Sequence, residues 1–195
     1  LIAVPFGLGI AVFLTELCPL SLRRPIRVAV ELLAGIPSII YGMWGFFVLG
    51  PFLAHYVEPP IAWAVQDIPV LNVIFSGEMI SNISLFNASL VLAIMILPFI
   101  TAIAVDVFST VPSVLKESAY GIGCTTWEVV TNVVIPYVRV GLVGGVMLAL
   151  GRALGETMAV TFIIGNSFKI DGSIFSPGTT ISAAIASEFA ESSDL

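Results

Sequence analysis

The sequence predicts an all-α polytopic bundle that crosses a membrane several times, and three observations predict it. Only 10% of the 195 residues are charged, against about 25% in soluble domains. Another 58% are apolar and the mean hydropathy is +1.08, which leaves too little polar surface to clothe a water-soluble globule. Asp, Glu, Lys and Arg are absent between Glu31 and Glu58 and again between Glu78 and Asp106, gaps longer than the roughly 20 residues that cross a bilayer core. Finally, the apolar runs are continuous rather than alternating, the pattern of helices that satisfy their own backbone in lipid. Soluble, nucleic-acid-binding and disordered classes are set aside. The net charge of −6 is scattered along the chain and carries little weight.

Residues 1–15 read as the rear part of a span, so the sequence begins inside a spanning segment rather than with a signal peptide. A connection over 16–30 carries Arg23, Arg24 and Arg27, and the first full span follows it. The segment His55 to Leu85 contains Pro59, Pro60, Pro69, Ile61, Trp63, Ile68 and Leu71 and reads as an interfacial turn or short helix. After the second full span comes a connection, 106–139, with Lys116 and Arg139; a third apolar stretch then runs from 140 to 168. The outer segment has no Lys or Arg and the tail has only Lys169, so the positive-inside rule puts 16–30 and 106–139 in the cytosol. Cys18 and Cys124 fall there and read as reduced, buried small hydrophobes. His55, with no second His to share a metal, reads as an interface residue.

Residues 106–139 are too many for a plain connector and hold two helical patterns, Val111 to Ile122 and Thr125 to Ile135, separated by Gly123. Thr125 and Glu128 have capping-box spacing, and Pro136 is expected to stop or kink the second helix. Its face of Trp127, Val130, Val133 and Val134 is apolar. That face suits either a helix lying on the bilayer or one that docks a soluble partner.

In the third span Gly141, Gly145, Ala149 and Ala153 recur every four residues, as do Gly151 and Gly155, a pattern for close helix packing. Arg152 and Glu156 are placed near the middle of this stretch, each costing about 2.5–3.5 kcal/mol there. Spaced by four, they are expected to share a helix face. Two readings stand: a structural ion pair, or a polar passage in which the guanidinium fork grips an oxyanion and Glu156 keeps that grip weak. Thr157 and Thr161 supply hydroxyls nearby. Pro37 and Pro98 are read as span prolines, with Ser38, Thr101 and Asn87 as candidate pathway polar groups. No GxxxxGK[ST], HExxH or GxSxG motif occurs, so any ATP used is bound by another chain.

Glu117, Ser118, Ala119, three residues, Gly123, nine residues and Val133 to Pro136 match in spacing the loop signature of ABC-importer permeases, EAA, three residues, G, nine residues, I-x-L-P. Ser118 stands for the second Ala of that signature, and Val133 and Ile135 are conservative departures. Glu117, Ser118, Ala119, Gly123 and Pro136 are thereby expected in a coupling helix that inserts into a groove of an ATPase subunit. The strings Gly151–Asn166, GRALGETMAVTFIIGN, and Leu33–Gly45, LAGIPSIIYGMWG, resemble phosphate-importer permeases of the PstC type more than their PstA-type sisters.

The resemblance covers nearly the whole chain. It implies a type I importer permease fold, one permease domain over 1–195 with 106–139 as its coupling loop, and a missing first and last helix. It further implies phosphate import across the cytoplasmic (inner) membrane beside a second, PstA-type permease, a PstB-type ATPase dimer and a PstS-type extracytoplasmic binding protein. No cofactor is then expected on this chain, since ATP and Mg²⁺ sit on the ATPase, and no catalytic activity. Arg152, Glu156 and Thr157 are expected in the substrate path. Physics alone leaves sulfate open as a substrate, and also a proton-coupled secondary transporter, which would need no ATPase. An intramembrane enzyme is a weaker rival, because an acid and a base without Ser, Cys or His make a poor catalytic set.

Overall fold

A computed structural model describes residues 1–65, 74–75, 83–169 and 172–191, and all regular elements among them are helices. Three are long and apolar enough to cross a membrane: α3 (Ser38–Val65), α4 (Leu85–Ser109) and α6 (Thr126–Leu154). The shorter ones are α1 (Ala3–Leu17), α2 (Leu20–Ala34), α5 (Ser113–Gly121), α7 (Met158–Ile164) and α8 (Ile181–Glu191). The charge gaps thus locate α3 and α4, and residues 1–15 are helical as expected. Within the outer segment, expected as an interfacial turn or short helix, Pro59, Pro60, Ile61 and Trp63 are helical and continue α3, while Ile68, Pro69 and Leu71 lie outside the described residues.

Four of the prolines leave the same mark on the helices. Widened turns, bonded i to i+5, cover Phe13–Leu17, Gly45–Leu49, Leu53–Val57 and Val130–Val134, each ending two residues before a proline: Pro19, Pro51, Pro59 and Pro136. A proline has no N–H to give and its ring collides with the carbonyl four residues back. Inserting one residue relieves that collision, as where the Gly50 and Ile135 amides donate to the Gly45 and Val130 carbonyls. Of the two outcomes expected at Pro136, a stop or a kink, the stop is excluded, because α6 runs on to Leu154. Pro37 is corrected too. It precedes α3 at the N-cap, where a missing N–H costs nothing. Pro98 does lie inside α4.

The chain divides into two units, residues 1–35 with 94–153, and residues 36–93 with 154–195. In the first, Ala11, Leu14 and Cys18 pack with Ala104, Val105 and Phe108 and with Val129, Val134 and Val138. The glycine stripe serves this packing. A Cβ on Gly145 would lie 2.7 Å from Ile103 Cγ2, and one on Gly141 3.0 Å from Val107 Cγ1, so α6 closes on α4. Gly151 faces open space. Cys18 is buried, Cys124 half-buried, and both are free thiols.

Helix α2 was not legible as a helix beforehand. Its Arg27 donates to Glu31 at 2.8 Å and to Asp106 at 2.6 Å. The hydrogen bond to Glu31, followed by the pull of Asp106, holds this guanidinium above its ordinary range, so it stays charged.

In the second unit Val160, Ile163 and Ile164 of α7 pack with Ala88, Val91 and Ala183. Helix α3 supplies Gly42 and Gly45 against α7 and α4: a Cβ on Gly45 would meet Val91 Cγ2 at 2.5 Å and Ile163 Cδ1 at 2.8 Å. Phe175 is buried edge-on to Phe75 and Phe86.

Candidate functional site

Two places carry the residues singled out from the sequence. The first is the α5–α6 turn. Helix α5 ends in a Schellman motif: the Gly123 amide donates to the Tyr120 carbonyl at 2.9 Å and the Cys124 amide to that of Ala119 at 3.1 Å, with Gly123 left-handed at φ +94. Thr125 then caps α6. Its hydroxyl accepts from the Glu128 amide at 3.4 Å while Glu128 Oε2 accepts from the Thr125 amide at 2.7 Å. The capping box read from spacing is therefore present.

Ala119 is buried against Val129 and Val134, which explains why a small residue is needed there. Ser118 is exposed and donates to the Val114 carbonyl at 2.7 Å, so it does not mediate close helix approach. Glu117 and Gly123 are exposed, and Ile122 (84%) and Trp127 (71%) extend an apolar tip beside them. Pro136 sits about two and a half turns further along α6. Nothing in the spacing signalled Ile122.

Gly123→Val is expected to loosen this turn without touching the spans. A left-handed β-branched residue costs about 1–2 kcal/mol, and Thr125→Ala about 1 kcal/mol. Hydrogen exchange at the Gly123 and Cys124 amides should speed up severalfold in either variant while α4 amides hold their rates.

The second place is the end of α6. The stretch 140–168 is not one helix. α6 stops at Leu154, residues 155–157 are non-helical, and α7 begins at Met158. The expected shared face of Arg152 and Glu156, and the placing of Arg152 midway along a continuous span, are thereby overturned. The local cause is a glycine followed by a side chain that competes for the backbone: Glu156 Oε1 accepts from the Ala159 amide at 3.3 Å and ends up capping α7. Hydropathy cannot register such a break, because its flanks are equally apolar.

Arg152 closes the first unit. It lies in the last turn of α6, where the helix dipole favours a cation. Its guanidinium carbon stands 5.2 Å above the centroid of the Phe99 ring, a cation–π contact that covers one face and leaves the N–H edge available. Glu156 and Thr157 belong to the second unit and are half-buried. The Thr161 hydroxyl bonds its own helix, at the Thr157 carbonyl, 2.7 Å away.

The two resemblance-bearing strings meet in this unit. A Cβ on Gly42 would lie 2.9 Å from Ala159 Cα, so α3 backs onto the residue whose amide holds Glu156. Thr101 and Asn87, two of the candidate pathway groups, are both buried and bonded to backbone carbonyls. Thr101 is fully buried and donates to the Leu97 carbonyl at 2.9 Å; Asn87 is 1% exposed and donates to that of Gly45 at 3.3 Å. Ser38 is half-buried in the first turn of α3. His55 lies edge-on to Tyr56, and no group of metal-ligating side chains occurs among the described residues.

Comparison with known proteins shows the family. The profile of the family described as binding-protein-dependent transport system inner membrane component matches residues 3–187. The phosphate transport system permease protein PstC of Mesorhizobium japonicum is 69% identical over 98% of this chain and 58% of its own length. Its namesake from Pasteurella multocida is 58% identical over 100% and 61%. A probable PstC from Methanocaldococcus jannaschii is 39% identical over 97% and 58%. The chain thus spans about three fifths of the length of these curated relatives.

Proposed function

Because this chain belongs to the family of binding-protein-dependent transport system inner membrane components, we propose that it is the permease subunit of an ATP-driven importer that moves inorganic phosphate across the cytoplasmic membrane. The observation that carries the reading is the interruption at residues 155–157. It leaves Arg152 at a helix end and Glu156 in unwound chain, in a sequence 69% identical to a phosphate permease. Unwound backbone at membrane depth is stable only when buried in protein or lining a wet cavity. A guanidinium with a free edge offers two parallel donors to a tetrahedral oxyanion. A proton-coupled carrier is not favoured, because the family's systems work with a binding protein.

On this reading residues 16–30 and 106–139 face the cytosol. Glu117, Ser118, Ala119 and Gly123, with the Ile122 and Trp127 tip, dock in a groove of a PstB-type ATPase, which binds ATP and Mg²⁺ itself. A PstA-type permease and a PstS-type phosphate-binding protein complete the assembly. Closure of the ATPase dimer displaces 113–136 and opens the passage first outward, then inward.

Arg152→Lys tests the substrate path, since it keeps the charge and loses the fork. In the full-length permease with its partner subunits, phosphate uptake at subsaturating phosphate is expected to fall about tenfold, the worth of one lost charge-assisted hydrogen bond. Wild-type uptake would remove Arg152 from the path.

A further inference from the structure

Apolar contact is not all that holds α5. Lys116 Nζ lies 2.5 Å from Glu16 Oε1, and the two side chains are 20% and 7% exposed. The remaining ion pairs among the described residues, Arg27 with Glu31 and with Asp106, involve side chains 43–65% exposed, where water screens them to little effect. Glu16 sits in the widened last turn of α1, ahead of Pro19. The next residue back, Thr15, accepts a 2.7 Å hydrogen bond from Arg23 Nη2 of α2 through its carbonyl. One turn of α1 is therefore gripped from both α5 and α2.

We infer that the Glu16–Lys116 pair is the strut that carries displacement of α5 into α1, making Glu16 and Lys116 positioning residues of the transport cycle. This rests on the reading of 106–139 as the coupling loop. Leu14, Cys18, Val111 and Ala119 pack α5 and α1 onto one core, but apolar contact is non-directional and lets surfaces slide. A charge-assisted hydrogen bond largely shielded from water does not slide. Separating it strands a carboxylate away from water, so α1 follows when α5 moves.

The test uses the full-length permease assembled with its partner subunits in phospholipid vesicles, with ATP hydrolysis and inorganic phosphate uptake measured on the same preparation. Glu16→Gln and Lys116→Met are expected to keep hydrolysing ATP while phosphate moved per ATP falls at least about fivefold, the lower end of usual coupling strengths. The charge-reversed double variant, Glu16→Lys with Lys116→Glu, is expected to regain most of that ratio. An unchanged ratio in both single variants overturns the inference. Should the single variants fail to accumulate, Glu16→Asp decides, because it keeps the charge and shortens the strut by one methylene: a lowered ratio supports the strut and a wild-type ratio overturns it. Absence of ATP-driven phosphate uptake by the wild-type assembly is a different result, which sinks the transport reading itself.

Discussion

Gly42→Val is expected to abolish most phosphate uptake and to destabilise the residue 36–93 and 154–195 unit by about 3 kcal/mol, the upper range for overpacking. The Cβ would lie 2.9 Å from Ala159 Cα and 3.2 Å from its carbonyl oxygen. Backbone cannot rotate away as a side-chain tip can, so α7 itself must move. The Ala159 amide, 3.3 Å from Glu156 Oε1, moves with it, and the carboxylate loses the partner that orients it. Thermal melting of the purified full-length protein together with an uptake assay checks both halves. Gly9→Ala is the control: nothing lies within 4 Å of its Cβ, and a helix-interior alanine there should be neutral or stabilising by up to about 1 kcal/mol. Equal melting of the Gly42 variant and this control would refute the packing argument.

The second large effect is expected at Gly165, which ends α7 with φ +89. Gly165→Ala forces a side chain into the left-handed region, at about 1–2 kcal/mol. It also sets a Cβ 2.4 Å from Ile83 Cγ2 and 2.8 Å from Pro177 Cβ, adding about 1–3 kcal/mol of overlap. Asn166 follows with φ 48 and accepts from the Thr179 hydroxyl at 3.1 Å, and the Gly178 amide returns to the Ile164 carbonyl at 2.9 Å. The variant should therefore expose 165–169 and 172–180 to protease while α1 and α5 stay protected. Unaltered cleavage of that loop would contradict the prediction.

What was readable in advance follows from range. Gaps in charge located α3 and α4 because lipid forbids ionisable side chains over a fixed length. The Thr125–Glu128 box was readable because both partners lie within one turn. The break after Leu154 was not, since a glycine and a capping carboxylate act on hydrogen bonds while leaving hydropathy unchanged. The setting of Thr101 and Asn87 was unreadable for a related reason: a polar side chain in an apolar run signals a passage or a buried bond to a carbonyl equally well. Gly42 against Ala159 joins positions far apart in the chain, beyond any local pattern.

The spare residue that each widened turn admits has a further effect at Val130–Val134. In a helix of 3.6 residues per turn, one residue more or less rotates everything downstream by about 100°. The slack ahead of Pro136 therefore sets the azimuth of α6, and with it which flank of that rod offers Gly141 and Gly145 to Val107 and Ile103. Excising a single residue there would swing the glycines off α4 and bring bulky neighbours round in their stead, so a feature that begins as relief for one ring ends by phasing the whole shaft.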